Sequence, residues 1–238
     1  MANKEETLIE HIEALRSVLI KCLVGMGIGF VPIFFLTPYV MNMLISVIMA
    51  ESDVHLNFFS PMEVFILQPK IALVLDIMIC FPYMARQLWQ FAAPALYQNE
   101  RNFIKSIVLT SSGLFMIGVL FCLFLIMPLL IRFGLCFATE SIKPVFGIGH
   151  VISLALWLSI IFGVMFQFPL VTYALVRTDM VSCQEMQRKR AYIFVGILIV
   201  SGILTPPDVI SQLMLTLPTY ALFEIGLFFG KRQKAADK

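Results

Sequence analysis

Charged residues are scarce in this sequence of 238 amino acids. Asp, Glu, Lys and Arg make up only 13% of the chain, and apolar residues make up 60%. Ordinary soluble domains are about 25% charged and about 45–50% apolar. A soluble domain of this length has too little interior to hide so much apolar surface, but a lipid bilayer can cover it. The composition therefore indicates an integral membrane protein.

The sequence also lacks the patterns on which catalytic, metal and cofactor sites are built. Its five cysteines form no CxxC pair, and its three histidines are far apart, without HExxH spacing. No Ser/His/Asp or Cys/His arrangement, phosphate-binding loop or dinucleotide glycine pattern occurs. The net charge is only +2, and the basic residues form no aromatic-interleaved patch of the kind that binds nucleic acid. We therefore expect no enzyme, no resident metal or cofactor, and no nucleic-acid partner.

Six apolar runs predict an all-α, polytopic membrane protein with a single membrane domain over residues 1–238. A spanning helix needs roughly 20 mainly apolar residues, and one run, the fifth, is too short for this. It extends about 21 Å against a hydrocarbon core of about 30 Å, so it is either re-entrant or a short span that thins the bilayer. We favour the short span, because basic residues precede it and two prolines follow it. The six runs are residues 18–36, 64–85, 106–131, 151–176, 191–204 and 209–230.

The distribution of lysine and arginine predicts that both termini are cytoplasmic. With that orientation, 14 of the 17 basic residues lie on the cytoplasmic side. The other three are Lys70, Arg132 and Lys143. Such an excess on one side is the positive-inside pattern. An odd number of spans would place the basic C-terminal tail outside, so six spans is the consistent topology.

Polar residues inside the apolar runs support two interpretations. Asp76, Gln167 and Glu224 are costly to place in lipid, so we expect them to face the protein interior or a wet cavity. Together with Asp208, the two acids fit an ion-coupled transporter of small molecules. Transporters commonly have matching halves with paired broken helices, and no such halves are found here.

The predicted cytoplasmic loop over residues 86–101 is rich in aromatic and polar residues. It is either a membrane-interface belt, in which Trp89 and Arg86 anchor a helix end, or a binding site. Glu100 fits the belt poorly, since its carboxylate is better suited to charge-assisted hydrogen bonds with arginines of a cationic peptide. Composition alone favours the belt slightly.

The turn before the last run contains Pro206, Pro207 and Asp208. Proline and aspartate suit the first turn of a helix, so a helix cap explains them. Asp208 and Gln212 are four residues apart and share one helix face, which is also the pattern of a polar site near the outer end. Physical chemistry alone prefers the cap.

Taken in order, these segments resemble TatC, the multi-spanning receptor subunit of the twin-arginine protein translocase. The resemblance covers nearly the whole chain. The matching motifs are HIEALR at 11–16, SPMEVF at 60–65, QLWQFAAPALY at 87–97 followed by Glu100 and Arg101, and LTPPD at 204–208 followed by Gln212 and by LFEIG at 222–226.

The resemblance implies a concave, cup-shaped bundle of six helices in a bacterial-type cytoplasmic (inner) membrane. Such a receptor binds twin-arginine signal peptides of folded cargo on its cytoplasmic face. It assembles as a homo-oligomer with single-span partners of the TatA and TatB type and exports proteins using the proton-motive force. The residues implied for signal-peptide binding are Glu100, Arg101, Phe91, Pro94, Leu96, Arg16 and Glu10. Those implied for partner docking and translocation are Asp208, Gln212, Pro206, Gln167 and Glu224.

Two positions depart from the family pattern. The opening glutamate of the family falls on Ala14, and the glutamate of its fourth span falls on Gln167. Leu8 and Ile12 keep a helical spacing that predicts an amphipathic helix on the cytoplasmic surface. On that helix Glu10 lies one turn from Ala14 on the same face, whereas Glu13 points about 100° away, so Glu10 is the better substitute of the two for the missing acid. Gln167 can still form hydrogen bonds, but it cannot carry charge.

Overall fold

The chain folds into ten α-helices and one short π-helical turn over the described residues, as seen in a computed structural model. The structure describes residues 2–49, 56–57, 59–96, 101–136, 145–177, 181–205 and 209–236. The helices are α1 (Ala2–Phe34), α2 (Thr37–Ile48), α3 (Pro61–Leu96), α4 (Arg101–Phe121), α5 (Met127–Leu135), α6 (Ile148–Met165), α7 (Phe168–Arg177), α8 (Cys183–Arg188), α9 (Arg190–Leu204) and α10 (Val209–Ala236).

Two helices continue further than expected, and the predicted start of the cytoplasmic loop at residue 86 was wrong for this reason. The helix predicted before the first span is continuous with that span in α1, since neither glycine nor proline occurs before Gly25 to interrupt it. The segment predicted as a cytoplasmic loop from residue 86 is helical as far as Leu96. Residues 83–93 are free of glycine and proline and rich in helix-forming Leu, Gln, Met and Ala.

Two predicted spans are broken helices. The third is α4 and α5 joined by the π-helical turn Cys122–Ile126, and such turns are rare and often occur at functional sites. The fourth is α6 and α7, which meet at Phe166 and Gln167. Pro169 lies in the first turn of α7, where its missing N–H leaves no helical hydrogen bond unmade.

Five segments of the described helices are long and apolar enough to cross a membrane. These are Ile12–Phe34, Pro61–Phe91, Lys105–Leu135, Ile148–Val176 and Val209–Arg232. The short fifth predicted span corresponds to α9, which has 15 residues. The chain is therefore a multi-pass, predominantly helical membrane protein, and α2 and α9 are shorter apolar helices in its described part.

The helix pair α6–α7 lies at the centre of the bundle, and α1 lies at its edge. The most apolar part of Ile148–Val176 is 61% buried, against 17% for Ile12–Phe34. Phe81 of α3 and Phe115 of α4 stack with ring centroids 3.8 Å apart, and the Phe115 ring lies against Gly163 of α6.

Glycine permits the closest helix contacts. A β-carbon at position 118 on α4 would lie 2.6 Å from the carbonyl oxygen of Phe162 on α6. A β-carbon at position 226 on α10 would lie 2.6 Å from the Cα of Pro169 on α7. Backbones that approach this closely leave no room for a larger side chain, which is typical of packing between membrane helices.

A parallel pair of two-residue strands closes one end of the bundle. β1 (Leu56–Asn57) pairs with β2 (Phe146–Gly147), Leu56 opposite Phe146 and Asn57 opposite Gly147. The pair links the segment before α3 to the segment before α6. We call this the fastened end, and the opposite end, where α3 finishes and α4 begins, the open end.

Candidate functional site: two ends of a helical bundle

Glu63 is the main polar link at the fastened end. Its Oε1 accepts a hydrogen bond from the backbone N–H of Gly149 at 2.7 Å, and its Oε2 accepts one from the N–H of Phe59 at 3.0 Å. Gly149 is in the first turn of α6, where backbone N–H groups have no helical partner and favour a negative charge. One carboxylate therefore fixes the start of α3 to the start of α6.

Two further bonds lie nearby. Lys70 Nζ on α3 donates to Ser153 Oγ on α6 at 3.1 Å. Trp157 Nε1 donates to the carbonyl of Leu204, the last residue of α9, at 3.0 Å. Each joins positions that are far apart in sequence, and residue spacing gave no signal for any of them.

Of the residues predicted to bind signal peptides, those that the structure describes lie towards the open end. Phe91 is half-buried near the end of α3, and Arg16 is exposed on α1. The backbones of Glu10, Pro94, Leu96 and Arg101 lie in α1, α3 and α4. Glu100 lies outside the described residues. The structure therefore brings Phe91, Pro94 and Leu96 onto one helix end and places Arg101 at the start of the next helix.

Gln167 fills the break between α6 and α7 and binds α4. Its Oε1 accepts a hydrogen bond from Ser111 Oγ at 2.6 Å, and its Nε2 donates to the carbonyls of Ser111 at 3.1 Å and Gly163 at 3.3 Å. A glutamate could accept the first bond but could not donate the other two. Ser111, which is buried, lies 56 positions away and was missed by sequence reasoning.

An apolar groove of about 520 Å³ runs beside this pair between α4, α7 and α10. Ser106, Thr110 and Tyr173 provide its polar atoms, and the rest of its lining is mainly apolar. Along α4 the groove extends from Ser106 to Ile117, which is about 16 Å of helix. It begins a turn and a half beyond Arg101.

Glu224 joins α10 to α9 at the open end. Its Oε2 accepts a hydrogen bond from Arg190 Nη2 at 2.7 Å, and its Oε1 accepts one from Tyr220 Oη at 2.9 Å. Arg190 is the first residue of α9. This acid is therefore paired with a cation, and neither Arg190 nor Tyr220 was predicted.

Asp76 faces the interior, as its place in an apolar run predicted. It is only 1% exposed, accepts a hydrogen bond from Cys80 Sγ at 3.3 Å, and lies so close to Gly29 that a β-carbon there would collide with it. It therefore lies in the contact between α3 and α1.

The predicted outer polar site is described in part. Gln212 Nε2 on α10 donates to the carbonyl of Leu198 on α9 at 2.9 Å, which ties the two last helices together. Pro206 and Asp208 lie outside the described residues, so the predicted face shared by Asp208 and Gln212 stays a prediction.

A short loop helix, α8, is capped at the open end. Ser182 Oγ accepts a hydrogen bond from the N–H of Glu185 at 3.1 Å, and the Glu185 carboxylate accepts one from the N–H of Ser182 at 3.2 Å. This reciprocal arrangement is a capping box. The hydrogen bond from the Ser182 backbone lowers the pKa of Glu185 below its ordinary value.

Comparison with known proteins gives the same result at three levels. A family model described as "Sec-independent protein translocase protein (TatC)" matches residues 10–218. The protein of that name from Carboxydothermus hydrogenoformans is 35% identical over 232 residues, covering 97% of this chain and 95% of the relative. The one from Escherichia coli K12 is 32% identical over 235 residues, covering 95% and 88%.

A solved structure also matches. A crystal structure of a twin arginine translocase receptor, TatC, in the detergent DDM superposes on this fold with a TM-score of 0.83 at 31% identity. The match covers 92% of this chain and 99% of that chain.

Proposed function

This chain belongs to the TatC family of Sec-independent protein translocases, and from that premise we propose that it receives twin-arginine signal peptides at its open end. The observation that carries the proposal is the match to a structure of the twin-arginine translocase receptor over 92% of this chain. The receptor structure that this fold matches and the translocase family to which the chain belongs indicate the same activity, the handling of folded proteins for export.

The arginine pair of the peptide binds where α3 ends and α4 begins. Glu100 directly precedes Arg101, the first residue of α4. A carboxylate offers two acceptor oxygens to each guanidinium, and such bidentate pairs are among the stronger hydrogen bonds in proteins. Phe91, Pro94 and Leu96 supply the apolar surface on the end of α3, while Glu10 and Arg16 approach from α1.

The apolar segment of the same peptide lies in the groove between α4, α7 and α10. Signal peptides carry an apolar region of about 7–15 residues, which spans about 10–22 Å as a helix. The groove runs from Ser106 to Ile117 on α4 and begins beside the proposed arginine site, so one bound peptide reaches both. Gln167, held by Ser111, lies next to the groove wall at Phe166.

Single-span partners of the TatA and TatB type dock near the hairpin between α9 and α10. Support comes from strongly exposed apolar side chains, with Ile203 78% exposed and Val209 69% exposed on either side of it. Pro206, Asp208 and Gln212 lie at this hairpin. Glu224 acts from the other end of the same helix pair, because its hydrogen bonds to Arg190 and Tyr220 hold α9 beside α10. The assembled receptor contains more than one copy of the chain.

The orientation we propose has six spans, counts α9 as one of them, and places both termini on the cytoplasmic side of the inner membrane. Native cysteines test it, because Cys136 is exposed after α5 and Cys183 is partly exposed at the start of α8. The test uses two variants, in which Cys136 or Cys183 is the single cysteine left. An impermeant maleimide added to spheroplasts should label Cys136. It should label Cys183 only after permeabilisation, and the reverse pattern would overturn the topology.

The proposed function is tested by export in a bacterial strain that lacks its own TatC. Expression of this chain with TatA- and TatB-type partners should move a folded reporter with a twin-arginine signal peptide into the periplasm, using the proton-motive force. A reporter whose two arginines are lysines is the control and should stay in the cytoplasm. Export of both reporters, or of neither from a stably inserted protein, would contradict the proposal.

A further inference from the structure

A second cleft at the open end, of about 850 Å³, lies between α3 and α4. The α3 wall has Pro82, Arg86 and Gln90, which are four residues apart and therefore share one helix face. The α4 wall includes Lys105 and Leu109, also four apart. This cleft is distinct from the apolar groove, since none of its lining residues lines that groove.

The cleft is polar at its rim and apolar below. Arg86, Gln90 and Lys105 lie towards the helix ends, and all three are exposed. Pro82, Val108 and Leu109 lie about one turn deeper in the bundle, and Leu109 is 77% exposed. Ser112 lies one turn further along α4, and its hydroxyl donates to the carbonyl of Val108 at 2.7 Å. An apolar wall that continues from two cations towards the middle of the membrane matches the profile of a lipid, with a headgroup at the interface and an acyl chain below it.

The rim has two cations and no carboxylate among its described lining residues. Within the described part of the chain, neither Arg86 nor Lys105 forms an ion pair, whereas Arg190 at the same end is paired with Glu224. Two like charges beside one cleft favour an anion between them. A guanidinium binds phosphate oxygens bidentately, and an ammonium adds a point charge.

We propose that this cleft binds one anionic phospholipid, with its phosphate between Arg86 and Lys105 and an acyl chain against Pro82, Val108 and Leu109. In the orientation proposed above, the cleft opens to the cytoplasmic leaflet, where anionic lipids attract basic residues near the membrane surface. The cleft is a poor site for the peptide's own arginine pair, because its rim carries the same charge. A phosphate there offsets that charge beside the site proposed for the arginines.

The test is native mass spectrometry of the purified full-length protein with added lipid. Phosphatidylglycerol and phosphatidylcholine with the same acyl chains are compared, and glycerol 3-phosphate is added as a headgroup without chains. We expect the protein to retain phosphatidylglycerol about tenfold more strongly than phosphatidylcholine, and glycerol 3-phosphate to leave the bound lipid in place. Equal retention of the two lipids, or displacement by glycerol 3-phosphate, would overturn the proposal.

Variants locate the site. The double substitution Arg86→Gln/Lys105→Gln should lower phosphatidylglycerol retention about tenfold. The matched control Lys231→Gln/Arg232→Gln removes the same charge from exposed residues of α10 at the same end and should leave retention unchanged. Leu109→Trp keeps both cations but obstructs the apolar wall at an exposed position, so it should also weaken retention.

These outcomes decide between occupants. If the first double variant and Leu109→Trp both retain the lipid like the wild type, the cleft holds something else, such as an acidic segment of a partner protein. If the control pair loses as much retention as the cleft pair, binding is diffuse attraction to basic residues. Signal-peptide binding is measured separately, so failure of the lipid proposal leaves the receptor proposal standing.

Discussion

The two ends of the bundle are built differently. At the fastened end, the Glu63 carboxylate accepts two backbone N–H groups, Lys70 binds Ser153, and a strand pair joins the segments before α3 and α6. At the open end, Arg86 and Lys105 lie exposed beside a cleft, and the proposed peptide site lies in the short connection between α3 and α4. One end uses its polar groups to hold helices together, and the other presents them outward.

This difference indicates a division of labour. A receptor for varied peptides needs unpaired polar groups and apolar grooves, and such groups contribute little to folding. The helices that carry them must then be fixed elsewhere, and the described polar links between distant helices at the fastened end do so. Substitutions at the open end should therefore change binding, and substitutions at the fastened end should change stability.

The largest effect should come from Glu100→Gln at the open end. Loss of a charge-assisted hydrogen bond costs about 1.5–3 kcal/mol, so binding of a twin-arginine peptide should weaken by about 10–100-fold. Thermal stability should not change. The matched control is Glu185→Gln, which removes one charge from the α8 loop at the same end and should leave the affinity as it was. If Glu100→Gln binds the peptide normally, Glu100 does not recognise the arginines, and Glu10 becomes the next candidate for that role.

Next in size should be Glu63→Gln at the fastened end. A glutamine keeps one acceptor oxygen but turns an NH₂ donor towards one of the two backbone N–H groups, which removes a bond and adds repulsion. We expect a clear fall in the melting temperature in detergent and no change in peptide affinity. Glu13→Gln, on an exposed part of α1, controls for the loss of charge. A fall in affinity with unchanged stability would reverse the roles of the two ends.

A smaller effect is expected for Glu224→Gln. This residue is an exception among the polar groups of the open end, because it binds other helix residues. The Arg190–Glu224 pair lies at the open end but is internally bonded, so it should behave structurally. Its side chains are 47% and 31% exposed, and such pairs are worth about 0–1 kcal/mol. The melting temperature should fall less than in Glu63→Gln, with peptide affinity intact. In a double-mutant cycle, Arg190→Gln should add little in the Glu224→Gln background.

The smallest effect should come from Lys70→Met. Its Nζ donates a hydrogen bond to the Ser153 hydroxyl at 3.1 Å, and the side chain is exposed. The change in melting temperature should be close to that of the control Lys231→Met. A loss as large as that of Glu63→Gln would mean that the fastened end depends on more than one carboxylate.

The apolar runs were sufficient to predict the helical membrane fold, because hydropathy is a local property of about 20 residues. They even identified the short α9. The run of helix formers after residue 83 was read as a loop, since aromatic and polar residues there suggested surface chemistry. The helix simply continues beyond the apolar stretch, and polarity alone does not end it.

The polar contacts of the site were not predictable in the same way. Glu63 with Gly149 and Gln167 with Ser111 join positions 86 and 56 residues apart, and no spacing rule reaches that far. The departure at Gln167 was visible in the sequence, but its two donated hydrogen bonds became evident only from the fold. Glu100 and Asp208 were singled out by their chemistry and position, the resemblance implied their roles, and those roles remain predictions.

The central claim is that the open end recognises paired arginines by their geometry, and one binding measurement tests it most directly. Purified full-length protein in detergent or nanodiscs is titrated with a fluorescent signal peptide that carries two arginines, and with the same peptide carrying two lysines. Lysine keeps the charge but loses the planar fork that binds a carboxylate bidentately. We predict saturable binding of the arginine peptide and loss of most of that binding with lysine, whereas equal affinity for the two peptides would contradict the account.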